Sequence, residues 1–257
     1  MFVEKNPTKR ELDDFYSSYA YSEGQFFSEV TRKRYNELLD QFEPYRKKNT
    51  ILDIGCGSGF FLETALARGW EVYGTEYSSA AVSLCQNKGM NVSLGALEEA
   101  FFKEENFDVI TSFEVIEHIN NPLHEMKLIE RILRKGGLFY CTTPNFNSIS
   151  RHVLRAAWDV IHYPEHLSFY TDRSFDYLMR SVGLKKLTIL TTGISLTRFR
   201  RSMGLKDEIM TESSSDEKFR EKAESNGAFG LMKRIVNYVL NGFRFGDALK
   251  AKYEKPN

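Results

Sequence analysis

At 257 residues with 42% hydrophobic side chains, the chain is long enough for one large domain plus an appendage and can bury a substantial core. Lysine plus arginine and aspartate plus glutamate stand at 35 each, which excludes the global basic field that draws in nucleic acid. The three cysteines, Cys56, Cys85 and Cys141, lack a paired or metal-type spacing. They point to a reduced, cytoplasmic setting rather than a disulfide framework. No apolar run is long enough for a signal segment or a bilayer span.

In chain order, residues 1–48 are polar and tyrosine-rich and read as an N-terminal helical cap. Tyr16, Tyr19, Tyr21, Phe26 and Phe27 precede a helix over 28–42 and could close a pocket or simply pack on the core. From residue 50 to about 142 the period switches back and forth between two kinds of element. Strands are expected near 50–54, 71–76, 90–94, 108–112 and 137–142, and helices near 59–68, 78–88 and 122–134. Such alternation argues for a doubly wound α/β domain, a parallel sheet with helices on both faces. Asn121-Pro122 starts the third helix, with asparagine as cap and proline at the first helical position. Leu123, Met126, Ile129, Ile132 and Leu133 give it a stripe for the sheet, and Gly136-Gly137 ends it. A helix over 172–182 and strands over 184–191 and 248–254 follow.

Between those last strands, residues 198–245 stand outside this pattern. They begin basic at Arg198, Arg200 and Arg201 and end in an amphipathic helix. That helix has Leu231, Met232, Ile235, Val236, Val239, Leu240 and Phe243 on one face, with Lys233, Arg234 and Arg244 nearby. A lid or an intersubunit face is the favoured reading. Contact of the 230–244 helix with a membrane surface is the other. The organisation expected is a cap over 1–48, a core over 49–197, a helical insertion or lid over 198–245, and a terminal core strand over 246–257.

The chemistry is concentrated first in Leu52-Asp53-Ile54-Gly55-Cys56-Gly57-Ser58-Gly59, a strand that ends in an acid and runs into three alternate glycines before a helix. Glycines at such a turn let the backbone bend sharply and approach a ligand. A dinucleotide fingerprint would want glycine at the position of Phe60. A pyrophosphate would also be repelled by Asp53, whereas an ammonium and a sulfonium would be attracted. S-adenosylmethionine carries both. Glu76, 17 residues beyond Gly59, ends the second strand, where an acid can hold a ribose diol. Tyr77 follows it in the expected cofactor-binding set, which also takes in Asp53, Gly55, Cys56, Gly57 and Gly59.

These residues resemble motif I and the strand-two acid of class I S-adenosylmethionine-dependent methyltransferases. The resemblance implies a Rossmann-like, mostly parallel seven-stranded sheet closed by an antiparallel C-terminal strand. It also implies that Ala96 and Leu97 border the adenine and that Phe113 lies near the methionine moiety.

A second cluster follows the fourth strand. In Glu114-Val115-Ile116-Glu117-His118, a helical turn would set Glu114, Glu117 and His118 on one face at i, i+3 and i+4. His166, after Glu165 in a later loop, is a fourth candidate. The stretch resembles the metal-binding motif of small-RNA 2′-O-methyltransferases and of quinone-biosynthesis O-methyltransferases, and the Glu165-His166 pair matches the further histidine of the former. The resemblance implies a divalent ion held by Glu114, Glu117, His118 and His166, with Glu117, His118 and His166 as the catalytic group. Alternatively, His118 serves alone as general base. His124, His152 and His162 read as surface or packing residues.

The expectation is therefore an S-adenosylmethionine-dependent O-methyltransferase of a hydroxylated small molecule, glycan or lipid-linked precursor. The alternatives are an RNA 3′-terminal 2′-O-methyltransferase, disfavoured by the zero net charge, and a non-catalytic cofactor-binding scaffold. Nothing in the residues sets the oligomeric state.

Overall fold

The computed structural model describes residues 28–194 and 227–257, together with Pro7 and Glu11. The expected aromatic cap residues 16–27 and the basic start of the insertion lie outside the described residues.

The chain enters through helix α1 (Glu29–Phe42), capped by the Ser28 hydroxyl accepting from Thr31 N. It then alternates through β1 (Thr50–Ile54), α2 (Phe60–Ala67), β2 (Glu71–Glu76), α3 (Ser79–Asn87) and β3 (Asn91–Leu94). After β4 (Phe107–Phe113) come α4 (Pro122–Ile132), β5 (Leu133–Pro144), α5 (Ile149–Leu154) and α6 (Asp172–Ser181). Strand β6 (Lys185–Thr192), helix α7 (Gly227–Phe243) and strand β7 (Ala248–Glu254) complete the described chain.

The strands form one seven-stranded sheet in the order β3-β2-β1-β4-β5-β7-β6. Only β7 runs against its neighbours, pairing antiparallel with both β5 and β6. This is the expected doubly wound sheet with its antiparallel terminal strand. All five residues of β1 are buried, as a central strand covered on both faces requires. One core layer gathers Leu52, Ile110, Phe139, Phe175 and Tyr253. The other gathers Ile51, Phe61, Leu62, Trp70 and Val109 beneath Leu39 and Phe42 of α1. The strand order reverses between β1 and β4, so the place where such sheets form a ligand crevice lies at their carboxyl ends.

Three local expectations need correction. The third helix ends at Ile132, and Leu133 already belongs to β5. The Gly136-Gly137 pair is therefore not a helix cap. It lies inside the strand, beside a register shift against β4, with Gly136 at φ 65°. A side chain at Gly137 would come within 2.8 Å of the Arg134 carbonyl. Leu123, expected on the buried stripe, is exposed in the first turn of the helix, whose buried residues begin at Glu125. The third correction concerns α7, where Leu240 is buried while the other apolar residues expected on its face are exposed.

Asp108, fully buried at the start of β4, organises the entry to β1. Its Oδ2 accepts the backbone N–H groups of Lys47, Lys48 and Asn49 at 2.9, 2.7 and 2.7 Å. Its Oδ1 pairs with the guanidinium of Arg134, which also donates to the Tyr45 carbonyl. Among the described residues, no helix is long and apolar enough to cross a membrane.

Candidate functional site

The glycine loop after β1 is held in shape by its own backbone. Gly55 and Cys56 both donate to the Thr75 carbonyl, at 2.9 and 3.1 Å. Gly55 and Gly59 have φ values of 67 and 75°, a region that side chains rarely adopt. Space forbids a side chain as well: a Cβ on Gly55 would lie 2.6 Å from Val115, and one on Gly59 2.6 Å from the Cys85 sulfur. The thiols of Cys56 and Cys85 both approach the Gly57 carbonyl, at 3.9 and 3.5 Å, and bind the loop to α3.

Two acids flank this loop. Asp53 sits at the end of β1, 3% exposed, and its Oδ1 accepts from the Thr111 hydroxyl of the adjacent β4 at 2.7 Å. Burial pushes its carboxyl up to about 8 against that hydrogen bond, and the nearby Glu76 and Cys85 add to the shift. Glu76 ends β2, as expected. Its Oε2 accepts from Gly57 N and its Oε1 from Ser78 N, both at 2.9 Å. Both carboxylates thus stand at the carboxyl ends of the two strands that border the glycine turn.

Of the other expected cofactor neighbours, Tyr77 is 47% exposed and Ala96 caps a short helical turn. Leu97 is buried in the same core layer as Ile110. Phe113 is half-buried, its ring 5.1 Å from Phe61 and 6.1 Å from Tyr35. That contact joins α1 to the end of β4 and gives the N-terminal helix an aromatic hold on the crevice.

The second cluster assembles from two segments. After β4, a short helical turn over Ile116–His118 presents Glu117 and His118. The loop after α5 returns His166, and Leu167 and Ser168 secure it by donating to the Glu117 carbonyl at 2.7 and 3.0 Å. One donor atom from each of Glu117, His118 and His166 lies within 4.8 Å of the others. The two imidazoles meet edge to face at 4.7 Å.

Their hydrogen bonds orient them. His118 Nδ1 lies 2.7 Å from the Glu165 carbonyl and His166 Nδ1 2.6 Å from the Val160 carbonyl. A carbonyl only accepts, so each Nδ1 carries the proton, and in a neutral ring Nε2 keeps its lone pair. Glu117, 2% exposed, accepts from the Thr143 hydroxyl through Oε2 at 2.8 Å, while Oε1 faces His118 Nε2 at 3.9 Å. Burial, reinforced by the neighbouring His166, holds the His118 pKa down at about 4. Two imidazole nitrogens and one carboxylate oxygen, each with an outer partner fixing its orientation, form a donor set that fits a divalent transition ion.

Glu114 does not join this group. Its backbone is left-handed at φ 55°, so the helical turn begins only at Ile116 and the i, i+3, i+4 face that would have included it never forms. Sequence reasoning missed Thr111 and the carbonyls of Val160 and Glu165. The first was findable from strand alignment, since Thr111 sits directly opposite Asp53 in the β1–β4 register. The carbonyls carry no sequence signal. His124 and His162 are exposed, as expected, and pair with Glu98 and Glu165 at 3.1 and 3.2 Å.

Comparison with known proteins identifies the family and the fold. The family model described as a methyltransferase domain matches residues 26–189. A ubiquinone biosynthesis O-methyltransferase of Cereibacter sphaeroides is 30% identical over 149 residues, covering 52% of this chain and 59% of that protein. The corresponding protein of Nitrosomonas europaea is 27% identical over 184 residues, covering 66% of this chain and 77% of its own length. The chain thus spans about three fifths of the Cereibacter relative. A crystal structure of a SAM dependent methyltransferase from Archaeoglobus fulgidus superposes with a TM-score of 0.58 at 18% identity, over 87% of this chain and 94% of that one. Phosphoethanolamine N-methyltransferase 2 of Haemonchus contortus, in complex with S-adenosyl-L-methionine, gives 0.57 at 18% identity, over 88% and 53%. At these identities the structural likeness speaks for the fold.

Proposed function

The chain belongs to the methyltransferase domain family, and from that premise we propose that it moves a methyl group from S-adenosylmethionine to a hydroxyl oxygen. The acceptor would be a hydroxylated small molecule, glycan or lipid-linked precursor. Transfer to oxygen is supported by the names of the ubiquinone-pathway relatives. The observation that carries the reading is the triad of Glu117, His118 and His166, set at the same sheet end as the acid-flanked glycine loop. The three unpaired, buried thiols suit a reducing compartment.

Bound in the crevice, S-adenosylmethionine supplies a methyl carbon activated by the adjoining sulfonium. Asp53 offers a carboxylate to the ammonium end, and Glu76 presents two oxygens to the ribose hydroxyls. The glycine loop lets the backbone approach between them. A divalent ion held by Glu117, His118 and His166 would lower the pKa of an acceptor hydroxyl and fix its direction. The mixed oxygen and nitrogen donors suit manganese, iron or zinc better than magnesium. Thr143 holds Glu117 through Oε2, which turns Oε1 toward His118 Nε2. With its pKa at about 4, His118 is neutral near pH 7, the form a ligand needs, and too weak a base to deprotonate an alcohol unaided. Alignment of acceptor oxygen and methyl carbon then accounts for a large share of the barrier reduction.

The test is calorimetric titration with S-adenosylmethionine and NAD, followed by methyl transfer to a panel of phenols, catechols and glycans before and after chelation. Heat with S-adenosylmethionine alone and chelation-sensitive transfer are expected. Transfer that survives chelation removes the ion from the reading, and heat with NAD alone removes the whole reading.

A further inference from the structure

Helix α7 is turned opposite to what its composition suggests. Polar side chains meet the sheet: Asn241 Oδ1 accepts from Thr191 N at 2.9 Å and Asn237 Oδ1 from Gly193 N at 2.8 Å. Leu231, Ile235 and Phe243 lie on the outer face and are 59, 57 and 68% exposed. The apolar surface continues past the helix end. Phe243 stacks on Phe245 at 6.3 Å, and Phe245 meets His152 of α5 at 5.9 Å. Val153, the next residue, is exposed too. A contiguous apolar strip of this extent marks a docking surface rather than ordinary exposure.

The charges around it decide what docks. In a chain with 35 carboxylate residues, neither 227–246 nor 145–158 contains a single aspartate or glutamate. Arg234 and Arg155 are exposed, Arg151 lies over the Phe146 ring at 4.2 Å, and Arg244 is answered by Asp172 at 3.7 Å. A second copy of this chain would bring two arginine-bearing faces together whose α7 and α5 segments supply no carboxylate, an unfavourable match. A bilayer that contains anionic lipid accepts both components, the apolar side chains among acyl chains and the guanidinium groups at phosphates.

We propose that α7, Phe245 and α5 dock the protein on an anionic membrane surface. Strand β7 enters the sheet at Ala248, opposite Pro144 at the carboxyl end of β5, and Asn145 ties the two segments by donating to the Arg244 and Gly246 carbonyls at 3.0 and 2.7 Å. The docking face therefore adjoins the sheet end that carries Glu117, His118 and His166. Delivery of a membrane-borne acceptor to that end rests on the methyltransferase reading; the docking itself does not.

The full chain should cosediment with phosphatidylcholine vesicles containing phosphatidylglycerol at least about tenfold more strongly than with phosphatidylcholine alone, and salt should weaken the binding. The double substitution Ile235→Glu and Val239→Glu, at exposed positions, should abolish it, and Arg234→Glu should weaken it severalfold. Calorimetric cofactor binding by each variant checks that it is folded and keeps this outcome separate from that of the proposed activity. Equal, weak partition onto both vesicle types overturns the proposal. So does a dimer in analytical ultracentrifugation that the double substitution dissolves while wild type ignores vesicles.

Discussion

The backbone N–H of Gly57 donates to Glu76 Oε2 at 2.9 Å, joining the turn after β1 to the acid that ends β2. The glycine loop and the acid proposed to hold the ribose are thus one hydrogen-bonded unit, not two independent motifs. Replacing Glu76 with alanine removes the tether of the loop and, with it, the proposed ribose partner. Affinity for S-adenosylmethionine should fall on the order of a hundredfold, the loss of one or two charge-assisted hydrogen bonds. Glu76→Gln, which keeps an acceptor for Gly57, should recover part of it. Unchanged calorimetric affinity in the alanine variant would show that Glu76 is not the ribose partner.

The raised pKa of Asp53, about 8, makes a signed prediction. Below that pH the ligand-free carboxyl holds a proton, and a cationic ligand favours its release. Cofactor binding must therefore expel a proton, and affinity should rise with pH, approaching tenfold per unit between about pH 5.5 and 7.5, below the titration of a typical α-amino group. Titrations in buffers of different ionisation enthalpy would detect the proton directly. A flat profile would mean that Asp53 keeps the same protonation state on binding and that no proton is expelled.

For the triad, His118→Ala, His166→Ala and Glu117→Gln should each lower affinity for manganese or zinc by one hundredfold or more, read by competition with a chromogenic chelator. Thr143→Val is the sharper probe, because it leaves every donor in place and removes only the hydroxyl that orients Glu117. An effect of about 10-fold to 100-fold on metal affinity is expected there, with cofactor affinity unchanged. Wild-type metal affinity in the valine variant would leave Thr143 without an orienting part.

Asp108→Ala should cost stability rather than catalysis. It removes the carboxylate partner of the largely enclosed Arg134 guanidinium and strands three backbone N–H groups at once, and breaking a buried pair costs about 3–5 kcal/mol. The melting temperature should drop on the order of 10 °C. A melt within a degree or two of wild type would show that water takes over these bonds.

Much of this was legible from the chain itself, because the strand–helix alternation of 50–142 and the spacing of glycines and acids depend on short-range patterns. Asn121-Pro122 marked its helix start correctly for the same reason. What stayed hidden depends on the third dimension. Gly136-Gly137 carries the usual signature of a helix end, yet the pairing of β5 with β4 draws Leu133 into the strand first. Glu114 has the spacing of a ligand, but a left-handed backbone sets it apart. The stripe on α7 obeys helical periodicity, and periodicity alone does not reveal which side of a helix meets the sheet. Here the edge strand β6 needs hydrogen-bond acceptors, and Asn237 and Asn241 supply them.

The peptide carbonyls of Val160 and Glu165 aim both imidazoles, and main-chain oxygens survive any change of side chain. Side chains around the triad can therefore be exchanged without misdirecting its two imidazole nitrogens. The aim of the two imidazoles is in this sense written in backbone, whereas that of Glu117 rests on the Thr143 hydroxyl and is open to change by substitution.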